Sequence, residues 1–390
     1  MGEKKTISTI CNVLNGFAFK SDKYVSSGTR VIRISNVQKG YVVDDDPKYY
    51  PESEMSQLGQ YVLRENDLLM SLTGNVGRVG LLTKDLLPAA LNQRVACLRI
   101  KDSGVLLKYL FYYLNSDLFE KAAIFSASGI AQKNMSTEWL KKVEIPVPSI
   151  GEQQRIVEEL DLLTGIIDKK NAQLRDLDAL AQSIFYEMFG DLMVSEKWPR
   201  RIIKDLCIVN PSKKLIPSNL QANDTVSFLP MEDLEIKAGY AEPKQTRLLS
   251  EVQGSYTFFA EDDVLLAKVT PCFENGKVGI ASNLRNGIGF GSSEFFVIRP
   301  IKGIVKEVIY FLAQTQHFVS EASKQLTGTS GLRRVPRSFI ENLSIAIPPM
   351  GLQEAFAERI KVIEKEKITI GKSIQSAQML LDSRMDAYFG

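Results

Sequence analysis

The stretch "PVPSIGEQQRIVEEL" (residues 146–160) decides the fold, because the chain writes it again as "AIPPMGLQEAFAERI" at 346–360. Each copy is a proline-rich run that gives way at once to an amphipathic helical pattern. From Trp139 onward the match holds at an offset of 200 without a gap. Trp139 meets Phe339, Val143 meets Leu343, Pro148 meets Pro348, Gln153 meets Gln353 and Gly190 meets Gly390. Upstream the match is looser. "ENDLLMSLTGNVGRVGLL" (65–82) answers "EDDVLLAKVTPCFENGKVGIA" (261–281), and "LNQRVACLRI" (91–100) answers "GSSEFFVIRP" (291–300). The chain is one unit of about 190 residues written twice, each copy a globular part followed by a long helix.

The helix is argued from side chains. Positions 156, 160, 163, 167, 170, 174, 177, 181, 184 and 188 follow the alternating spacing of a heptad seam. Ile156, Leu160, Leu163, Ile167, Leu174, Leu177 and Ile184 carry its apolar stripe, with Lys170 as an interruption. The second seam has Phe356, Ile360, Ile363, Ile370, Ile374 and Leu381, interrupted by Lys367 and Arg384. A stripe sustained this long is a coiled-coil pattern. Ser149 with Glu152 forms a capping-box signature at the first start, and Gly190 suits a C-terminal cap. The second start has Pro349 and Leu352 instead. At a rise of 1.5 Å per residue each helix would be about 55–60 Å long.

The globular parts read as mixed α/β. The runs VIRIS (31–35), LLMSL (68–72), RVACLRI (94–100), VLLAKV (264–269) and EFFVIR (294–299) suit strands between glycine turns. Helical patterns follow around 105–125 and 304–323. If the second helix pairs with the first, it must run back along it. The expected fold class is therefore α+β: two globular mixed α/β domains (1–150 and 191–350) joined by two long antiparallel coiled-coil helices (151–190 and 351–390). The copies would be related by a pseudo-two-fold axis, a reading head at each end of a rod, with residues 1 and 390 at the same end.

Composition narrows the function. The chain has 390 residues, 44% apolar and 24% charged, with a net charge of +2. No tract approaches the roughly 18 apolar residues of a membrane span, and the N-terminus lacks the apolar core of a secretory signal. Cys11, Cys97, Cys207 and Cys272 have neither metal-ligand spacing nor disulfide density, and read as small buried hydrophobes in a reducing cytoplasm. The single histidine, His317, falls in a helical pattern and reads as structural or exposed. Regional charge balances are +4 for 1–150, −4 for 151–190, +2 for 191–350 and 0 for 351–390. Nucleic-acid affinity should then sit in the two globular parts and be modest.

Catalytic signatures are missing. Asn210-Pro211 is followed by Ser-Lys, which fails the Asn/Asp-Pro-Pro-aromatic pattern that holds a flipped adenine. "ENGKVG" (274–279) lacks the leading glycine and the hydroxyl of a phosphate loop. "TGNVGRVG" reads as a hairpin turn. Asp44-Asp45-Asp46 and Glu261-Asp262-Asp263 have no His or Cys partners and read as solvated turns.

With these features in place, the sequence resembles the specificity subunit of a type I restriction-modification system. The carrying residues are the junctions "VEIPVPSIGEQQRI" (143–156) and "LSIAIPPMGLQEAF" (343–356), and the paired helices. The head motifs "GFAFKSDKY" (16–24), "SLTGNVGRVG" (71–80) and "KVTPCFENGKVGIA" (268–281) add to them. The resemblance implies that each head is a target recognition domain reading one half of a split DNA sequence. It implies that the helices set the spacing and dock two DNA adenine-N6 methyltransferase (modification) subunits. Restriction/translocase subunits would complete the complex, with S-adenosylmethionine and ATP on the partners, no cofactor or metal here, and no membrane. The chain would perform no chemistry.

Base readout needs Arg or Lys for guanine and Asn or Gln for adenine, with phosphate contacts fixing position. In the first head the candidates are Lys20, Ser21, Asn36, Gln38, Arg78, Gln132, Lys133 and Asn134. In the second they are Lys213, Lys214, Lys268, Lys277, Arg333, Arg334 and Arg337. The loop "GTSGLRRVPRS" (328–338) occupies the slot of "SGIAQKNMSTE" (128–138). Val157, Leu162 and Ile166 beside the seam are apolar surface that partner helices could cover, and the aromatic ends Phe185/Phe189 and Tyr388/Phe389 should pack against the heads. An alternative of another class is a coiled-coil scaffold that never touches DNA.

Overall fold

Short, mainly apolar runs become strands covered on both faces. In Leu68–Ser71 every residue is buried. Leu68 and Met70 face one apolar cluster, while Leu69 faces a second. A sheet sandwiched in this way has no solvent face, so its strands show no polar alternation. The computed structural model describes residues 3–127, 134–328 and 332–390. They fall into two compact units, Met1–Lys170 with Ser373–Gly390, and Asn171–Lys372. Each unit thus takes part of both long helices, and both chain termini belong to the first.

In unit 1 an antiparallel sheet runs in the order Cys11–Asn15, Val95–Ile100, Leu68–Ser71, Val79–Leu81. A second sheet places Thr29–Ile32 between Tyr49–Tyr50 and a parallel partner, Ala89–Leu91. Three short helices follow, Leu107–Leu114, Asp117–Ser126 and Thr137–Lys142. In unit 2 the sheet order is Cys207–Val209, Phe295–Pro300, Val264–Ala267, Val278–Ala281, Tyr240–Ala241. Beside it lies the order Gln245–Leu248, Thr225–Leu229, Ile288–Gly291, Thr257–Ala260. Three helices follow here too, Lys306–Leu312, Gln316–Lys324 and Arg337–Asn342. The units therefore repeat one mixed α/β plan.

A small pairing closes each head onto its helix. Glu3–Thr6 pairs antiparallel with Glu144–Val147, and Arg200–Ile202 with Ser344–Ala346. These strands lack a local pattern, because their partners stand about 140 residues away.

The long helices are Ile150–Phe189 and Met350–Phe389, 40 residues each. Within unit 1 the start of the first meets the end of the second: Glu159 pairs with Arg384 at 2.8 Å, and Phe389 joins Ile156 and Leu160 in one core. Within unit 2 the end of the first meets the start of the second: Lys367 pairs with Asp178 at 2.7 Å, and Phe185 packs on Phe356 at 5.7 Å. The helices are antiparallel in both places. All ten seam positions of the first helix are at least half-buried, and in the second only Arg384 is exposed. The polar interruptions Lys367 and Arg384 are answered by carboxylates of the facing helix. The aromatic ends also reach the heads: Phe185 stacks on Phe311 at 5.8 Å, and Phe389 lies 5.6 Å from Tyr109.

Two local expectations are corrected. Ser149 Oγ accepts from the Glu152 N–H at 3.3 Å, but Glu152 turns its carboxylate to Arg155 at 2.7 Å, so only half of the capping box is made. Asp263 does not sit in a solvated turn. It is fully buried and receives both prongs of the Arg299 guanidinium at 2.7 Å, as Asp67 does from Arg99 in unit 1. Asp44 and Asp46 are more open and pair with Arg30 and Arg33.

Candidate nucleic-acid interface

In each unit three chain segments meet at the end of the central strand pair. In unit 1 the Leu72 N–H donates to the Arg94 carbonyl at 3.0 Å, and the Leu72 carbonyl accepts from the Met135 N–H at 2.8 Å. Thr73 bridges to Asn134. In unit 2 the Lys268 N–H donates to the Glu294 carbonyl at 2.9 Å, its carbonyl accepts from the Val335 N–H at 2.9 Å, and Val269 bridges to Arg334. One backbone frame is built twice, with Leu72, Arg94 and Asn134 in one copy and Lys268, Glu294 and Arg334 in the other.

The hairpin loop of 71–78 is held from inside. Ser71 Oγ donates to the Asn75 carbonyl and accepts from the Arg78 N–H. Gly77 has φ +83°, and a Cβ there would stand 2.8 Å from that of Ala123, so only glycine fits. Arg78 donates to Gln38 Oε1 at 2.6 Å, and Gln38 donates to the Ser35 carbonyl at 2.9 Å. The 92–94 turn carries the frame to the GFAF motif, since the Gln93 N–H donates to the Phe17 carbonyl at 2.9 Å. Lys20 and Ser21 follow that motif and are exposed.

In unit 2 the frame is strongly charged. Arg334 forks onto Glu294 with both contacts at 2.9 Å, and this holds the Glu294 carboxyl below its usual range. Arg333 stands 3.8 Å from Glu274, and its backbone N–H donates to Thr270 Oγ1 at 3.1 Å. Lys268 donates to the Ser293 carbonyl at 2.7 Å.

The expected contact residues are thus partly gathered and partly scattered. Gln38 with Arg78, and Asn134, come to the unit 1 loops; Lys268, Arg333 and Arg334 come to the frame in unit 2. Asn36 is buried, and its amide is used internally: it accepts from the Arg33 N–H and donates to the carbonyls of Val43 and Asp45. Lys213 donates to the carbonyls of Gln253 and Gly254, and Lys277 to that of Met231. Arg337 pairs with Glu341 along its own helix, and Lys214 is exposed. Gln132 and Lys133 lie outside the described residues.

Arg94, Thr73, Thr270, Glu274 and Glu294 belong to these loops and escaped the sequence reading. For Arg94 and Glu294 a signal was available. The gap-free alignment of "LNQR" with "GSSE" sets a cation opposite an anion at the edge of a strand.

The chemistry present is hydrogen bonding and charge. Among the described residues no group of His, Cys, Asp and Glu is placed to hold a metal ion. Burial pushes the Cys11 and Cys207 thiols up to about 12, which suits packing and not nucleophilic attack. His317 bonds Asp191 at 2.6 Å. No described helix is long and apolar enough to cross a membrane.

This duplicated architecture defines a class. A sequence model of the type I restriction modification DNA specificity domain matches residues 2–176 and again 195–377. The chain belongs to that family and carries its domain twice. Among curated relatives it resembles the type I restriction enzyme EcoBI specificity subunit of Escherichia coli, 22% identical over 410 residues, covering 95% of this chain and 81% of that one. The EcoEI specificity subunit of Escherichia coli is 34% identical over 155 residues, 40% of this chain but only 25% of its own length. Against that relative the match spans about a quarter. The fold is that of the crystal structure of a type I restriction-modification system S subunit from M. genitalium, with a TM-score of 0.52, 13% identity and coverage of 98% of this chain and 94% of the other.

Proposed function

We propose that this chain is the non-catalytic, sequence-reading subunit of a type I restriction-modification assembly. Each head, 1–150 and 191–350, binds one half of a bipartite, asymmetric site on double-stranded DNA. The helices, 151–190 and 351–390, hold the half-sites apart and dock two DNA adenine-N6 methyltransferase subunits. The restriction/translocase subunits join that core, S-adenosylmethionine and ATP act on the partners, and the complex works in the cytoplasm.

The carrying observation is the twice-built loop frame with different side chains. A shared backbone gives both heads one docking geometry, while Asn134 against Arg334 gives them different readout. Two identical heads would read a palindrome. Repeated apolar positions outside the seam favour partner docking: Leu162 and Val362 are 64% and 69% exposed, and Leu180 and Leu380 are 48% each. A scaffold that ignores DNA would have no use for paired polar loops at equivalent places.

The test is to reconstitute the chain with its methyltransferase subunits and map N6-methyladenine in exposed DNA. The reading expects methylation confined to one split asymmetric sequence. Methylation without sequence preference would refute it.

A further inference from the structure

The two copies of the loop frame carry the same net charge in different places. In unit 1 the three frame positions are Leu72, Arg94 and Asn134; in unit 2 they are Lys268, Glu294 and Arg334. Each set sums to one positive charge. In unit 2 one cation is spent against Glu294, whose carboxylate would otherwise repel a phosphate. In unit 1 the whole charge rests on Arg94.

That arginine differs from most of its neighbours. Arg30, Arg33 and Arg99 are engaged by Asp44, Asp46 and Asp67, and Arg78 by Gln38. The Arg94 side chain is exposed and has no hydrogen-bond or ion-pair partner among the described residues. Its backbone is nevertheless fixed, because its N–H donates to Asn92 Oδ1 at 3.2 Å and its carbonyl accepts from Leu72. A fixed root with a free guanidinium suits a fork for phosphate oxygens.

We infer that Arg94 is the residue with which unit 1 grips a DNA phosphate, at the place where unit 2 carries Glu294 neutralised by Arg334. The inference rests on the DNA-reading function above and adds a specific contact to it. Phosphate gripping at the frame edge leaves Asn134 and the 71–78 loop free for base edges in unit 1. In unit 2 the frame's uncompensated cation is Lys268, whose ammonium donates to the neutral Ser293 carbonyl.

The experiment uses the full chain and a random-sequence duplex of about 30 base pairs, with binding measured across a potassium chloride series. Each phosphate contact adds about 0.9 to the slope of log affinity against log salt. Arg94→Gln should lower that slope by about one and weaken binding roughly tenfold at low salt. Arg64→Gln, at the opposite end of the 68–71 strand, should leave both unchanged. Arg94→Glu should weaken binding further, and adding Asn134→Arg to it, which transplants the neutral unit 2 pair, should bring binding back to about the level of Arg94→Gln. If the native chain binds and Arg94→Gln matches it in slope and affinity, or if the double variant binds no better than Arg94→Glu alone, the assignment fails while DNA reading stands. A native chain that binds no duplex even at low salt would overturn both.

Discussion

Gln153 and Gln353 stand 200 positions apart in the sequence and make the same three hydrogen bonds. Gln153 accepts from the Leu106 N–H and donates to the carbonyls of Gly104 and Pro148; Gln353 accepts from the Val305 N–H and donates to those of Gly303 and Pro348. Both are fully buried. Each glutamine therefore ties the first turn of its long helix to the loop that opens the head's helical layer. Replacing Gln153 by Leu would strand three backbone groups in a dry site, at about 1–3 kcal/mol for each that stays unsatisfied. Hydrogen exchange should show protection lost around residues 104–114 while unit 2 keeps its own. Equal loss in both units would contradict a local bolt.

The buried forks Asp67–Arg99 and Asp263–Arg299 make a second prediction. Arg299→Met would leave Asp263 charged and unpaired, at a cost of about 3–5 kcal/mol. The double change Asp263→Leu with Arg299→Met should cost less than that single change, because no charge is then buried alone. Urea unfolding midpoints would check the order, and a double variant weaker than Arg299→Met would reverse it.

Glu364 supplies a pH dependence. Burial raises its carboxyl above the ordinary 4.5, outweighing the attraction of Lys367 at 2.9 Å. A carboxyl whose folded value is raised holds its proton more tightly in the folded state. Its contribution is full below 4.5 and is lost as pH rises through the raised value. The melting temperature of the native chain should therefore fall, relative to Glu364→Gln, as pH climbs from about 4 to about 8. Parallel melting curves for the two proteins would contradict it.

The helices and their seams were legible because a heptad stripe is a local pattern, and the repeat doubled it. Strands 68–71 and 264–267 were legible as mainly apolar runs. Asp263 was misread because its partner Arg299 lies 36 residues on, in another strand. The pairing of Glu294 was hidden in the same way, because the loop carrying Arg334 reaches it across 40 residues. Asn36 has the composition of a reader but points inward, a choice made by the carbonyls of Val43 and Asp45 and invisible in a polar turn. Contacts closed by tertiary structure leave little trace in local sequence.

The spacer role of the helices can be measured directly. Inserting one heptad into each helix adds about 10 Å, close to three base pairs at roughly 3.4 Å each. The gap between methylated half-sites should widen by about that amount. An unchanged gap would show that the helices do not measure DNA.

The most direct test of two independent reading heads is to replace residues 200–347 by a second copy of residues 3–147 and map N6-methyladenine made by the reconstituted complex. Two identical heads should convert the asymmetric target into a palindrome built from the first half-site. Retention of the original asymmetric target would contradict the account.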